Sequence, residues 1–199
     1  MASFRRELTN LPNLITMSRV VLIPFVLFFM DNFNPLRSFI ASILYGFAAL
    51  GDFVVGYLAR MRGEVSLLGK FLDPLADKVL VMAVLVYMVA LERVPPWVVV
   101  VLIARDLAIT GLRSIASAQG LVIAASDGGK IKTALQLVAI MMLLVYFRYP
   151  ALWTSASIDY RFVGLWLLYV STAVSLFSGA QYLRHFLASA LKQQPRAPT

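Results

Sequence analysis

Three carboxylates in the segment 51–78 have spacings that suit a metal site. Asp73 and Asp77 lie four residues apart, which on a helix places both on one face. Asp52 precedes them in the neighbouring apolar segment, and a short loop between the two segments brings the three acids to a common cleft. Such carboxylates repel one another unless cations are present, and Mg²⁺ takes oxygen ligands and often bridges to substrate phosphates. The spacing therefore predicts a cleft for divalent cations and a phosphorylated ligand.

Small residues accompany the first of these acids. The helical face of Asp52 also carries Val55, Gly56, Ala59 and Arg60. The glycine and the alanine leave room for a bulky phosphorylated ligand to approach the helix backbone. The alternative is that the acids form solvated ion pairs with Arg60, Lys70 and Lys78 at the membrane interface. Ionisable residues within apolar segments are usually functional, which favours the site.

The elements that position these residues follow from composition. The chain has 199 residues, of which 60% are hydrophobic and 14% charged, and its mean hydropathy is +0.81. Soluble domains carry about 25% charged residues, so an ordinary soluble protein is excluded. A membrane-crossing helix needs about 20 apolar residues. The sequence therefore predicts an all-α integral membrane bundle of six transmembrane helices, over 15–30, 37–60, 72–91, 96–118, 130–148 and 162–187.

Both ends of the chain differ from these apolar segments. The N-terminal residues 1–19, MASFRRELTNLPNLITMSR, are basic and mildly amphipathic, and they lack the small-residue cleavage site of a signal peptide. They predict a short interfacial helix that precedes the first span. Residues 1–190 are expected to form a single membrane domain, and the polar residues 191–199 a disordered tail.

The basic residues near the span ends predict the orientation in the membrane. One side collects twelve of them: Arg5, Arg6, Arg19, Arg60, Arg62, Lys70, Arg113, Lys130, Lys132, Arg184, Lys192 and Arg196. The other side has only four: Arg37, Arg93, Arg148 and Arg161. Because the richer side faces the cytoplasm, a multi-pass protein of the inner, cytoplasmic membrane is expected, with both termini and the carboxylate cleft at the cytoplasmic face.

Charge and cysteine content narrow the classes of function. The net charge of +8 favours contact with membrane lipids that carry anionic head groups, or with anionic substrates. The basic residues are scattered between apolar spans, which argues against nucleic acid as a partner. The chain has no cysteine, which excludes disulfides, thiolate metal sites and cysteine nucleophiles.

The carboxylate segment resembles the signature of the CDP-alcohol phosphatidyltransferase family, D-x2-D-G-x2-A-R-x8-G-x3-D-x3-D. Seven of its eight fixed positions are present at the right spacing: Asp52, Gly56, Ala59, Arg60, Gly69, Asp73 and Asp77. The second Asp of the signature is replaced by Val55, and Gly51 stands where a Thr or Ser is expected. The six-span layout agrees with the family along most of the chain.

The resemblance implies a metal-dependent transfer reaction. Family members move a phosphatidyl group from CDP-diacylglycerol to an alcohol and release CMP, and sn-glycerol 3-phosphate is the expected acceptor. The resemblance implies two divalent cations, Mg or Mn, held by Asp52, Asp73 and Asp77, with Asp77 also the general base. It assigns the cytidine diphosphate to Gly56, Ala59, Arg60, Gly69, Asn13 and Thr16, with Arg19 beside them. It also implies a homodimer.

An acceptor that carries a phosphate needs cationic partners. Arg105 and Arg113 lie eight residues apart on the fourth predicted span, and Lys130 and Lys132 open the fifth. We expect these four residues to form the acceptor-phosphate pocket. The alternative for Lys132 and Arg113 is positive-inside anchoring. The alternative for Arg105 is an ion pair with the adjoining Asp106.

Val55 bears on activity more than on fold. A valine side chain binds no metal, so the chain is expected to have low or no transferase activity as written. One alternative is a non-catalytic relative that binds CDP-lipid. Another is a transferase with a different acceptor, such as inositol phosphate, serine or phosphatidylglycerol. A small transporter or channel is disfavoured, because the acids gather at one end of the bundle instead of lining a path across it.

Overall fold

The computed structural model describes residues 11–62, 67–118, 127–150 and 157–193, and the side chains of 17–49, 78–118, 128–150 and 157–189. Six helices account for nearly all of this: α1 Leu11–Phe29, α2 Pro35–Arg62, α3 Leu67–Ala90, α4 Pro96–Ala118, α5 Asp127–Val145 and α6 Tyr160–Gln193. A short antiparallel hairpin, β1 Arg148–Pro150 and β2 Ser157–Asp159, lies between α5 and α6. The predicted all-α class is confirmed.

Local capping sets where two of the helices begin. Asn34 precedes α2, and its side-chain oxygen accepts hydrogen bonds from the backbone N–H groups of Leu36 at 3.1 Å and Arg37 at 3.2 Å. Pro35 occupies the first helical position, where a missing N–H costs nothing. Asp159 caps α6 as Asn34 caps α2: its carboxylate accepts a hydrogen bond from the backbone N–H of Phe162 at 3.1 Å.

The helices pack around one apolar core. α1 lies against α2 and α3, α5 runs along α6, and α4 also packs on α6. The core includes Val26 of α1, Val84 of α3, Leu143 of α5 and Leu168 of α6, all fully buried. Among the described glycines, Gly164 has the tightest surroundings, since an added Cβ would lie only 2.8 Å from Leu143 Cγ. A side chain there would push α5 and α6 apart.

The structure supports the prediction of a membrane protein, though not the predicted number of crossings. Within the described residues, two segments are long and apolar enough to cross a bilayer, Gly128–Val145 in α5 and Tyr160–Ser189 in α6. Shorter apolar stretches occur in α1, α2 and α3, at Met17–Phe29, Pro35–Ala49 and Lys78–Ala90. Large apolar side chains remain exposed on the bundle surface, among them Phe25, Phe28 and Phe47. These features indicate a membrane protein, and the six crossings stay a prediction.

The two terminal predictions lie mostly outside the described residues. Of residues 1–19, assigned to an interfacial helix, residues 1–10 are not among them. Residues 11–19 form the first part of α1, which runs as one helix from Leu11 to Phe29. At the other end α6 continues to Gln193, three residues past the predicted domain boundary at 190. Residues 194–199 lie outside the described part of the chain.

A buried arginine ties together one end of the bundle. Arg93, in the α3–α4 loop, is only 1% exposed. Its Nη1 donates to the carbonyls of Leu143 at 2.9 Å and Leu144 at 3.1 Å, at the C-terminus of α5. Its Nε donates to Asn32 Oδ1 at 2.8 Å, and its Nη2 to Ser38 Oγ at 2.9 Å and to the backbone carbonyl oxygen of Asp31. We call these residues, with Tyr146, the Arg93 cluster.

The Arg93 cluster keeps its charge at neutral pH. Burial lowers the pKa of Arg93 to about 10, which still leaves the guanidinium protonated at pH 7. The Tyr146 ring lies under it, with the guanidinium carbon 4.2 Å from the ring centroid. Arg161 approaches the same ring at 5.5 Å, and Arg37 pairs with Asp31 at 2.9 Å. Arg37, Arg93 and Arg161, three of the four residues assigned to the poorer side, thus lie at one end of the bundle.

Candidate functional site

The signature residues occupy two consecutive helices. Asp52, Val55, Gly56, Ala59 and Arg60 lie in α2, whereas Gly69, Asp73 and Asp77 lie in α3. Asn13 and Thr16 lie in the first two turns of α1. The side chains of all these residues are outside the described set, so the structure gives their helices and not their contacts. Among the described side chains no three His, Cys, Asp or Glu residues gather into a metal-binding group.

A cavity of about 660 Å³ opens beside these helices. Its walls come from α2, α3, α4, α5 and α6. Ala49 of α2 lines it and lies three residues before Asp52, and Lys78 of α3 lines it and directly follows Asp77. The two helices that carry the signature therefore also form part of the cavity wall.

The structure brings all four predicted acceptor-phosphate residues to this cavity. Arg105 and Arg113 of α4 line it, and so do Lys130 and Lys132 of α5. Lys78 adds a fifth cation, and its Nζ donates to Thr110 Oγ1. Among the described lining residues Asp106 is the single acid. The excess of positive charge suits an anionic ligand.

Asp106 organises the inner part of the cavity wall. Lys132 Nζ lies 2.8 Å from Asp106 Oδ1 and 2.6 Å from Oδ2, so the ammonium bonds to both carboxylate oxygens. Arg105 Nη1 donates to Oδ1 at 3.0 Å. Two cations from different helices therefore share one carboxylate in a site that is mostly removed from solvent. Such charge-assisted bonds hold both cations in place.

Arg105 has a second set of partners on α6. Its Nε donates to the backbone carbonyl of Ser175 at 2.9 Å, and its Nη2 donates to Ser178 Oγ at 2.7 Å. Gly179 lies against the same side chain, since an added Cβ there would be 3.2 Å from Arg105 Nε. We call Asp106, Arg105, Lys132, Ser175 and Ser178 the Asp106 cluster. It joins α4, α5 and α6 at the cavity.

Burial separates the four predicted cations into two pairs. Lys132 is 5% exposed, so it does not reach out to lipid head groups as an anchoring lysine would. Arg105 is partly buried and forms the ion pair with Asp106 that was its alternative interpretation. Arg113 and Lys130 are exposed at the cavity rim. Anchoring therefore stays open for Arg113 and not for Lys132.

Three cavity residues escaped the sequence analysis. Asp106 entered only as an alternative partner of Arg105, whereas it also binds Lys132. Gln136 and Tyr182 line the cavity, each 5% exposed, and went unnoticed. Gln136 lies one helical turn after Lys132, so the helical repeat could have placed it on the same face. The stretch SGAQYL at 178–183 resembles the family, but it gave Tyr182 no role, because the place of that side chain at the cavity depends on how α6 packs.

Comparisons with known proteins agree with this geometry. A family model described as CDP-alcohol phosphatidyltransferase matches residues 9–177. The chain is 39% identical over 178 residues to a CDP-diacylglycerol--glycerol-3-phosphate 3-phosphatidyltransferase of Bacillus subtilis (strain 168), which covers 83% of this chain and 91% of that protein. The chain therefore belongs to the CDP-alcohol phosphatidyltransferase family, a family of transferases, as the signature indicated.

Other bacterial relatives carry the same name. A protein of Shigella flexneri serotype 5b (strain 8401) is 36% identical over 193 residues, covering 92% of this chain and 98% of its own length. A protein of Rickettsia felis (strain ATCC VR-1525 / URRWXCal2) is 28% identical over 175 residues, covering 88% and 94%. The similarity thus extends over most of the chain and nearly the whole of each relative.

Proposed function

We propose that this protein transfers a phosphatidyl group from CDP-diacylglycerol to sn-glycerol 3-phosphate, giving phosphatidylglycerophosphate and CMP. The observation that carries the acceptor assignment is the cavity in which Arg105, Arg113, Lys130 and Lys132 meet beside the signature helices. A phosphorylated acceptor needs such cations, whereas serine does not. The names of the relatives support both substrates.

The donor set suits hard divalent cations. Asp52, Asp73 and Asp77 offer only carboxylate oxygens, and α3 is continuous through Asp73 and Asp77, which places them one turn apart. These three residues would hold two divalent cations, Mg or Mn. When bound, the ions neutralise the negative charge of the pyrophosphate and of its transition state.

In the proposed reaction the acceptor hydroxyl oxygen forms a new bond to the phosphatidyl phosphorus. The bond between that phosphorus and the phosphate oxygen of CMP breaks, and CMP leaves with the electron pair. Asp77 accepts the hydroxyl proton as general base. Transfer of this kind depends on alignment and charge neutralisation more than on covalent help from the protein.

Nucleotide and acceptor would occupy adjoining parts of the site. The cytidine diphosphate is assigned to Gly56, Ala59, Arg60, Gly69, Asn13 and Thr16, with the buried Arg19 of α1 beside them. The acceptor phosphate is assigned to the cavity, where Asp106 fixes the Lys132 ammonium and the Arg105 guanidinium. Arg113 and Lys130 at the rim would attract the anion electrostatically.

The same proposal places the chain in the inner membrane with six crossings, both termini cytoplasmic and the site at the cytoplasmic face. Its support is the gathering of Arg37, Arg93 and Arg161 at the end of the bundle opposite the signature. A homodimer is also part of the proposal, on the strength of the family resemblance. Reactivity of single cysteines, introduced at Arg148 and at Lys192, toward a membrane-impermeant reagent tests the orientation.

Val55 is expected to limit turnover, since a carboxylate ligand is missing from the metal set. In metalloenzymes, losing a hydrogen-bond partner of a metal ligand lowers metal affinity or activity by about 10- to 100-fold. Restoring a metal ligand itself should change activity by at least as much. We expect Val55→Asp to raise Mg²⁺-dependent CMP release from CDP-diacylglycerol and glycerol 3-phosphate by about 100-fold. Val54→Asp is the matched control, because it adds the same charge outside the signature.

Two results would contradict the proposal. If the chain as written turns over at the rate of the Val55→Asp variant, the valine does not limit the reaction. If the variant binds CDP-diacylglycerol but releases no CMP, the chain is a non-catalytic CDP-lipid-binding relative, the candidate that Val55 itself favours. A panel of inositol phosphate, serine and phosphatidylglycerol tests the acceptor, and a better substrate than glycerol 3-phosphate would overturn that assignment.

A further inference from the structure

The hydroxyl of Tyr182 is a buried polar group on the cavity wall without a hydrogen-bond partner. Tyr182 of α6 lines the cavity and is 5% exposed. Its hydroxyl oxygen is buried and has no partner within the described part of the chain. Buried polar atoms are nearly always hydrogen-bonded, because leaving them unpaired costs free energy. A ligand in the cavity can supply the partner that the packing of the helices does not.

The pairing of α5 with α6 places Tyr182 on one side of the Asp106 cluster. The two helices are antiparallel: Ser171 Oγ of α6 donates to the carbonyl of Lys132 at 3.2 Å, and Gly164, earlier in α6, lies against a later part of α5. Tyr182 therefore lies beyond Lys132 in the direction of the start of α5. Gln136, which also has a buried unpaired atom at the cavity, lies in the opposite direction. One small ligand cannot reach both side chains.

α4 and α6, by contrast, run in the same direction along the cavity. Arg105 Nε donates to the backbone carbonyl of Ser175 at 2.9 Å. One turn later on both helices Ile109 lies against Gly179, with its Cδ1 3.8 Å from an added Cβ. Tyr182 comes about one further turn along α6, so it lies beyond Arg105 in the direction in which α4 continues to its C-terminus.

This direction leads toward the signature. Thr110 follows Arg105 in α4, and its hydroxyl accepts a hydrogen bond from Lys78 Nζ of α3. Lys78 lines the cavity and directly follows Asp77, the proposed general base. Tyr182 therefore lies on the signature side of the inner cations, which is the side on which the acceptor hydroxyl must react.

The proposed acceptor has three polar groups in a fixed order. In sn-glycerol 3-phosphate the phosphate is on one terminal carbon, the reacting hydroxyl is on the other, and a second hydroxyl is on the carbon between them. With the phosphate at the cations and the reacting hydroxyl toward the signature, the middle hydroxyl comes to the side of the cations that carries Tyr182. A phenol can both donate to and accept from an alcohol, whereas the cations suit the phosphate.

We propose that Tyr182 is a specificity-determining residue that hydrogen-bonds the middle hydroxyl of a phosphorylated polyol acceptor. This inference rests on the proposed function, in which that acceptor is sn-glycerol 3-phosphate. A site that hydrogen-bonds a substrate hydroxyl rejects analogues that lack it, because its own buried polar group is then left unpaired. Tyr182 thus selects acceptors that carry a hydroxyl beside the phosphate-bearing carbon.

The test compares glycerol 3-phosphate with 3-hydroxypropyl phosphate, which keeps the phosphate and the terminal hydroxyl but lacks the middle hydroxyl. Binding of each to the purified full chain in detergent is measured by calorimetry. The parent chain should bind glycerol 3-phosphate about tenfold more tightly than the analogue. Tyr182→Phe removes only the phenol oxygen, so it should weaken glycerol 3-phosphate about tenfold and leave the analogue within twofold. Unchanged binding of the analogue also shows that the variant is folded.

Two variants control for the substitution and for its position. Tyr87→Phe makes the same change in α3 at a residue that does not line the cavity, and it should change neither affinity. Gln136→Met removes the other unpaired buried group at the cavity, on the opposite side of the cations. It should keep the tenfold preference for glycerol 3-phosphate over the analogue.

The outcomes separate the inference from the proposed function. The inference is overturned if the parent chain has no preference between the two ligands, if Tyr182→Phe keeps the preference, or if that variant weakens both ligands equally. Loss of the preference in Gln136→Met as well would also overturn it, because the position of Tyr182 would then not be decisive. In each case turnover of Val55→Asp with glycerol 3-phosphate still decides the proposed function independently.

Discussion

The Arg93 cluster and the Asp106 cluster both bury cations, yet their hydrogen bonding differs. In the Arg93 cluster each guanidinium nitrogen bonds to acceptors within the protein: Asn32, Ser38 and three backbone carbonyls. In the Asp106 cluster two cations share one carboxylate at the wall of a cavity. Next to it, Gln136 and Tyr182 have buried polar atoms with no partner in the described residues.

The difference distinguishes a structural group from a binding site. Arg93 connects the α1–α2 loop, the α3–α4 loop and the end of α5, and its bonds leave nothing for a ligand. The cavity wall, by contrast, has an excess of positive charge and unused hydrogen-bonding capacity. Buried polar groups that are fully paired stabilise a fold, and those left unpaired beside a cavity indicate a ligand.

The largest expected effect is on stability. Arg93→Met should lower the free energy of unfolding by about 3 kcal/mol or more, because it leaves several buried acceptors unpaired. Thermal unfolding in detergent, followed by circular dichroism, measures the change. Glycerol 3-phosphate affinity per folded molecule should stay the same, since Arg93 lies in a loop at the end of the bundle opposite the signature and does not line the cavity.

Arg37→Met is the matched control for this change. Arg37 lies at the same end of the bundle and pairs with the carboxylate of Asp31 at 2.9 Å, but its side chain is 37% exposed. Exposed pairs contribute at most about 1 kcal/mol, so the control should unfold only slightly more easily than the parent. Equal destabilisation by the two variants would contradict the structural role assigned to Arg93.

The next effect is on binding. Lys132→Met should weaken glycerol 3-phosphate about tenfold to 100-fold, because a charge-assisted bond at a buried site is lost. Its effect on stability should be the smaller one, since Arg105 still pairs with Asp106. Arg113→Gln removes the same charge at the exposed rim and should cost less than about fivefold. Titrations in low and high salt measure both variants, and only the Arg113 effect should vanish in high salt. Equal losses of glycerol 3-phosphate affinity in the two variants would mean that burial does not decide how much each cation contributes to binding.

The smallest effect concerns pH and the β-hairpin beside the Arg93 cluster. The Phe162 backbone N–H and the Arg148 side chain lower the pKa of Asp159 below its ordinary value of 3.8. A lowered pKa means that the ionised form stabilises the fold: the contribution is complete above pH 3.8 and is lost as the pH falls through the lowered pKa. Asp159→Asn should therefore cost less than about 1 kcal/mol at pH 7, and the cost should shrink as the pH falls below 3.8. A cost that stays constant as the pH falls below 3.8 would show that the charge is not responsible.

Much of the fold was predictable because apolar runs and breaker residues are local features. The predicted spans 37–60 and 96–118 correspond to α2 Pro35–Arg62 and α4 Pro96–Ala118. Asn34 and Pro35 start α2 by capping, which the sequence expresses within four residues. The β1–β2 hairpin was not predicted, because its pairing depends on two three-residue strands whose register is set across a loop.

The residues of the candidate site were largely predictable from the sequence, but their pairing was not. The signature identified the family because its residues lie within 26 consecutive positions. The four cations were chosen from charge and spacing, and the structure brings all four to one cavity. Their pairing was only partly foreseen, since Asp106 also binds Lys132, which lies 26 residues away in the chain.

The sequence by itself determined the membrane class, the six helices and the signature, since each depends on the types and spacing of nearby residues. Only the tertiary structure decided that Arg93 is a buried tie between loops and that Asp106 joins α4 to α5. It also decided that Gln136 Nε2 and the Tyr182 hydroxyl are buried on the cavity wall with no hydrogen-bond partner among the described residues. The physical reason is that whether a polar group is satisfied depends on partners that packing brings from distant helices.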